Sequence, residues 1–237
     1  MVLNSDPVFY IVISLITVFI VIALHLFRKN KCSEKEKKIY FIIITVVVIL
    51  STLYLAGSTV YENITSETSG PVHWHADYKV IVCGEKLDLV NRGIFTNKAG
   101  SPLLHGHGDE RIHIEGTVKE LSKVSLSSFF MEIGGELESG NLVYQTHEGS
   151  VEKREGDSCN GEISSLKVYV NGNKIEDYEN YIIYPASSVP PGDCIVILFD
   201  ETNEDTTEIT CESWEVNEWN YDSFSREDIK IGKRTWQ

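Results

Sequence analysis

The chain has 237 residues, with 35 acidic against 21 basic side chains and a formal net charge of −14 with histidine neutral. Three of the acids (Asp6, Glu34, Glu36) and six of the bases (Arg28, Lys29, Lys31, Lys35, Lys37, Lys38) fall in the first 57 residues, leaving 32 acids and 15 bases, a net of −17, for the remaining 180. So acidic a portion repels phosphate backbones and anionic lipid, which excludes nucleic-acid binding; it reads either as attraction for metal cations and basic partners or as a solubility device for high salt.

The first 57 residues are of a different kind. Residues 7–27, PVFYIVISLITVFIVIALHLF, run 21 positions with His25 alone able to carry charge, and at about 1.5 Å rise per residue they span a hydrocarbon core of about 30 Å. Residues 39–57, IYFIIITVVVILSTLYLAG, give a second run of 19. A cleaved signal peptide fits the first run less well, because MVLNSD carries no basic residue and the run exceeds a usual signal core. The expectation is a transmembrane hairpin over 1–57. Its connecting loop, 28–38, carries six bases against two acids, and the positive-inside rule puts that loop in the cytoplasm and both termini outside. Residues 58–72, rich in Ser and Thr and closed by Gly70 and Pro71, read as a linker. Asn63 opens an Asn-Ile-Thr glycosylation sequon on the outer side.

Cysteine usage agrees with an extracytoplasmic location for the rest. Cys83, Cys159, Cys194 and Cys211 lie in it, an even number that suggests disulfides, while Cys32 sits in the cytoplasmic loop. Three pairings are open. One has geometric support: if CIVILF and TTEITC form a hairpin turning at Thr202 and Asn203, Cys194 falls opposite Cys211, which leaves Cys83 with Cys159.

From His73 the pattern is that of strands. In HWHADYKVIV, His73, His75, Asp77 and Lys79 share one face, and Trp74, Ala76, Tyr78 and Val80 the other. Cys83-Gly84 marks a hairpin turn into EKLDLV. Residues 91–110 read as loop, and RIHIE then alternates again, with Arg111, His113 and Glu115 opposite Ile112 and Ile114. Ser125 caps a helix whose Leu126, Phe129, Phe130 and Ile133 make a core stripe ended by Gly134-Gly135. Residues 136–163 read as polar loop with one strand at NLVYQTH, LKVYVNGNKI as a hairpin turning at Asn171-Gly172, and GDCIVILF as a late buried strand. Strands, a helix, then strands closing one sheet over it is the order of a β-grasp-like α+β domain, expected over 73–212. The tail at 213–237, with Trp214, Trp219, Tyr221, Phe224 and Trp236, is expected to strap onto that domain.

Five of the seven histidines, His73, His75, His105, His107 and His113, crowd into residues 73–115, where the chain-wide rate places about one. Two residues apart on a strand, imidazoles share a face at about 6.6 Å spacing and can converge on one ion. His105 and His107 lie among glycines, Asp109 adds a carboxylate, and Glu115 can hold an imidazole N–H from behind. Imidazole-rich, thiolate-poor ligation suits Zn²⁺ or Cu²⁺ rather than Ca²⁺ or Mg²⁺.

HWHADYKV, HGHGDERIHIEG, VSLSSFF and LKVYVNG, in this order, resemble a loosely defined family of membrane-anchored extracytoplasmic bacterial and archaeal proteins. That family shares a His-x-His strand, a His-x-His turn leading into Ile-His-Ile-Glu, a Leu-Gly-x-Phe-Phe helix and a Val-Asn-Gly hairpin. The resemblance covers about residues 73–200 and implies an anchored sheet-plus-helix domain with a shared histidine constellation, but no activity. The chain departs from the pattern at Ser127-Ser128, at Cys83, in its second apolar span and in its Cys-bearing C-terminal extension.

Three functions fit these residues. The first is a non-catalytic Zn²⁺- or Cu²⁺-binding ectodomain held at the membrane, its protein partner unspecified. The second is a three-histidine metal hydrolase with Glu115 or Asp109 as base. The third is a metal-free histidine pH switch or adhesion module. No His-Glu-x-x-His, Gly-x-Ser-x-Gly or phosphate-loop pattern supports an enzyme.

Overall fold

The structure is a computed structural model, which describes residues 7–28, 31–90, 98–183, 192–201 and 211. It divides into two compact units, Met1–Gly70 and Pro71–Gln237.

The first unit is a pair of apolar helices, α1 (Pro7–Arg28) and α2 (Glu34–Thr65), both long and apolar enough to cross a membrane. They run antiparallel. Ser14 Oγ meets Ser51 Oγ at 2.6 Å, the rings of Tyr10 and Tyr54 lie 4.7 Å apart, and Arg28 pairs with Glu36 at 3.1 Å. Large apolar side chains on both remain uncovered, among them Phe19 (72% exposed) and Phe41 (70%), as expected of a surface suited to lipid rather than water. A capping box starts α2: Ser33 Oγ accepts from the Glu36 backbone N–H, and Glu36 accepts from the Ser33 N–H at 2.8 Å.

The expected linker at 58–72 is a correction, because α2 continues through Thr65. Extending a formed helix adds one hydrogen bond per residue fixed, and the Ser and Thr side chains fold back onto it. Ser58 and Thr59 each donate to the Leu55 carbonyl at 2.9 Å, and Thr65 to that of Tyr61 at 2.8 Å. Only Ser66 to Gly70 join this helix to the next strand.

The second unit is α+β. In chain order its elements are β1 (Pro71–Val82), β2 (Glu85–Leu87), β3 (Ala99–Gly100), β4 (Leu104–Gly106), β5 (Arg111–Thr117), a 3-10 turn (Leu121–Val124) and α3 (Leu126–Glu132), then β6 (Glu136–Glu138), β7 (Asn141–Thr146), β8 (Gly149–Arg154), β9 (Ser158–Cys159), β10 (Glu162–Val170), β11 (Asn173–Ile175) and β12 (Cys194–Glu201). A mixed sheet has the order β11-β10-β12-β1-β5-β4-β3, with β2 on the far end of β1 and β9 on β10; β6, β7 and β8 form a separate sheet. Within the large sheet β1 and β12 are parallel, and the other neighbours antiparallel. The central β12 is buried on both faces from Cys194 to Asp200, as its unbroken apolar run requires.

Alternation builds the core. Ala76, Tyr78, Val80 and Val82 of β1 and Ile112 and Ile114 of β5 are buried on one face, under Leu126, Phe129, Phe130 and Ile133 of the α3 segment. Tyr78 meets Phe129 edge-to-face at 5.2 Å and its hydroxyl pairs with that of Tyr144 at 3.0 Å. Burial raises both phenols above their ordinary value, so they remain neutral donors and acceptors.

Two further expectations need correction. The 91–110 stretch contains β3 and β4, and 136–163 contains β6, β7, β8 and β9 rather than one strand. The small sheet buries little, chiefly Leu137, Leu142 and Tyr144, so its alternation is thin; its first turn, Ser139-Gly140, carries positive φ at both residues (52° and 77°) and is a hairpin signal. Disulfides join Cys83 to Cys159 and Cys194 to Cys211. The proposed turn at Thr202 and Asn203 and the aromatic tail at 213–237 lie outside the described residues.

The Cys83–Cys159 bridge closes 76 residues of chain, so the double substitution Cys83→Ala/Cys159→Ala should cost about 2–5 kcal/mol. Phe129→Ala, at a fully buried position, should cost about 3–5 kcal/mol. Denaturant unfolding of the full chain in detergent measures both. A loss under about 1 kcal/mol in either would contradict the packing described.

Candidate metal centre

Strand register assembles the site. β1 pairs with β5 so that His75 faces His113 and His73 faces Glu115, and β4 pairs with β5 so that His105 faces the same His113. Three histidines therefore form a row across three neighbouring strands, on the face opposite the core, because their neighbours Ala76, Ile112, Ile114 and Leu104 are the buried ones. His73 stands two residues along β1 from His75, and His107 lies just past β4.

Two close backbone approaches hold this row. Gly192 (φ +84°) lies against β1 so tightly that a Cβ would sit 1.8 Å from the His75 carbonyl oxygen, and Gly100 (φ +118°) so close to β4 that a Cβ would sit 2.9 Å from His105 Cα. Positive φ and contact both demand glycine there. Next to His75, the Asp77 N–H donates to the Asp193 carbonyl at 2.8 Å, and Arg111 Nε donates to Asp77 at 2.7 Å, closing one end of the row with an ion pair.

The histidines form two groups, His73/His75/His113 and His105/His107/His113, in each of which one nitrogen per ring lies within 4.8 Å of the others. The rings of His75 and His107 each lie 4.6 Å from that of His113, edge-on, and His105 stacks parallel to it at 5.4 Å. Nitrogens on a tetrahedral Zn²⁺ are about 3.3 Å apart for bonds of about 2.0 Å, so small ring rotations close either group onto an ion. Cys83, Cys159, Cys194 and Cys211 are all in disulfides, so no thiolate of the second unit competes with the imidazoles as a ligand.

Asp109 belongs to neither group. Its Oδ2 lies 3.1 Å from His113 Nε2. Burial pushes Asp109 up, but the His113 hydrogen bond and charge outweigh it and hold the carboxyl below its ordinary value. An ionised Asp109 accepts Nε2–H from His113, which fixes the tautomer and leaves Nδ1 with its lone pair. That Nδ1 is buried and has no hydrogen-bond partner among the described residues. Glu115, expected behind an imidazole, lies 3.3 Å from His73 Nε2 and 3.9 Å from His105 Nε2. It also accepts from Lys98 at 3.1 Å, the main cause of its lowered pKa. Lys98 escaped the sequence reading because it lies beside β3, in a stretch read as loop.

His105 is fully buried, and both its ring nitrogens lack hydrogen-bond partners among the described residues. Burial, with help from the Lys98 charge, pushes it down to about 4. Burial is also the first cause of lowered values at His75, where the neighbouring histidine charges add to it, and at His113, where Asp109 partly offsets it. Near neutral pH these imidazoles hold open lone pairs, the state a metal requires. No family model, curated protein or solved structure matches the chain.

Linkage gives a pH test. His105 titrates near 4 when folded and near 6.5 when unfolded, so the unfolded chain binds more protons between those values; stability is full above about pH 6.5 and declines down to about pH 4, by at most on the order of 3 kcal/mol for this residue. Unfolding in excess chelator at pH 7.5 and pH 5 should show that decline, and His105→Gln should reduce it. Equal stability at both pH values would contradict the burial of a neutral His105.

Proposed function

We propose that this chain is a membrane-anchored, outward-facing metal-binding protein whose histidine cluster holds Zn²⁺ or Cu²⁺ without catalysing a reaction. The observation that carries the reading is the pair of three-histidine groups meeting at His113, with buried nitrogens of His105 and His113 that have no hydrogen-bond partner among the described residues. An unpartnered buried polar atom costs free energy, and an ion recovers it.

The anchor is the antiparallel pair α1 and α2, read as a hairpin whose loop faces the cytoplasm, with the second unit outside. Its disulfides fit an oxidising compartment. The order β5-β1-β12-β10-β11, with β1 parallel to β12 and α3 across one face, supports a β-grasp-like reading of the second unit. Both carboxylates near the histidines are engaged, Asp109 with His113 and Glu115 with Lys98 and His73. That favours holding an ion over a hydrolase, which needs one of them as a base.

Zn²⁺ and Cu²⁺ titrations of the full chain in detergent should show stoichiometric binding, lost in His113→Ala and weakened about 10–100-fold in Asp109→Asn. Unchanged binding in His113→Ala would remove the proposed centre. The orientation is checked at Cys32, the one free cysteine. A membrane-impermeant maleimide should label it in permeabilised cells and spare it in intact ones; labelling in intact cells would invert the topology.

A further inference from the structure

The five histidines do not make one coordination shell. They make two groups that share a member, and the groups differ in access. The side chain of His73 is 63% exposed, that of His113 12% and that of His105 0%, while His75 and His107 are both half-buried, so the most open histidine belongs to the first group and the fully buried one to the second. We propose that the two groups are an outer and an inner station for one ion, and that His113 keeps its bond while the His73/His75 pair is exchanged for the His105/His107 pair. This rests on the metal-binding reading above and extends it from a resting site to a carrier that captures a cation from solution and withdraws it from water.

Three features support a transfer. The shared residue offers one donor: Asp109 engages His113 Nε2, so Nδ1 is left to bind. Filling both groups at once would need both nitrogens, with Asp109 displaced and a proton lost from the imidazole. The distances are short, since the His75 and His107 rings flank His113 at 4.6 Å each and a transfer amounts to ring rotation about a fixed centre. The exchange is balanced, because two neutral imidazoles leave the ion as two neutral imidazoles join it. No proton or electron is transferred, and the ion keeps its charge and its number of imidazole donors throughout.

The direction also follows. At the outer station His73 is solvent-facing and backed by Glu115 at 3.3 Å, within a portion of the chain whose net charge of −17 concentrates cations near it. At the inner station both nitrogens of His105 are buried without partners, so occupancy there satisfies groups that nothing else in the described structure satisfies. Capture is fast at the first and release slow from the second.

Stopped-flow zinc association with the full chain in detergent, and zinc release into excess chelator, separate the two stations. Wild type should bind one equivalent. His73→Ala/His75→Ala should slow association and release together by about tenfold or more and leave the affinity unchanged, whereas His105→Ala/His107→Ala should leave association unchanged and speed release by about tenfold or more. A parallel series with Gln in place of Ala keeps the comparison if an Ala variant fails to fold. Two equivalents bound to wild type would overturn the exchange in favour of a bridged pair and leave metal binding standing. So would both double variants shifting release in the same direction, or neither altering any rate. No zinc bound to wild type would overturn the exchange together with the metal-binding reading.

Discussion

Antiparallel pairing of β1 with β5 sets Trp74 against Ile114 and Ala76 against Ile112 on one face of the sheet, and His75 against His113 on the other. Both outcomes depend on a single register. A slip of one residue would carry the apolar set to the solvent face and bury the histidines. The core thus fixes the site: burial of Ala76, Ile112, Ile114 and Leu104 leaves the imidazoles between them no other side to occupy. Parallel pairing of β1 with β12, and the close approach of Gly192 at the His75 carbonyl, hold β1 from its other edge.

The same arrangement opposes stability locally. A buried imidazole with neither nitrogen hydrogen-bonded is a group that folding alone does not reward, and His105 is such a group among the described residues. Violations of this kind concentrate where function needs them. Around it burial keeps His75, His105 and His113 neutral while Asp109 and Glu115 remain charged. Nitrogen lone pairs in front and carboxylates behind form the environment that a divalent cation completes.

Much of this was legible in the residues. The alternation in HWHADYKV and RIHIE places His73, His75, His113 and Glu115 on the site face. Cys83-Gly84 and Asn171-Gly172 mark turns where the structure has positive φ at both positions, and Ser125 caps α3 with its hydroxyl accepting from the Ser128 N–H. What was not legible is instructive in physical terms. β3 and β4 are two and three residues long, too short to show a period, and they exist because β5 offers an edge to pair with. The partition of five histidines into two groups around His113 depends on which strands are neighbours, a long-range fact that local spacing does not carry. The role of Asp109 changed for the same reason: its proximity in sequence suggested a ligand, whereas the fold turns it onto His113 Nε2. The helical extension of α2 to Thr65 was hidden by Ser and Thr, which read as linker and here bond back to the helix.

X-ray absorption at the zinc edge of the zinc-loaded full chain tests the central claim most directly. The account predicts at least three imidazole nitrogens at about 2.0 Å, with the outer-shell scattering of imidazole rings and no sulfur. A first shell of oxygens without imidazole scattering, or one containing sulfur, would contradict it.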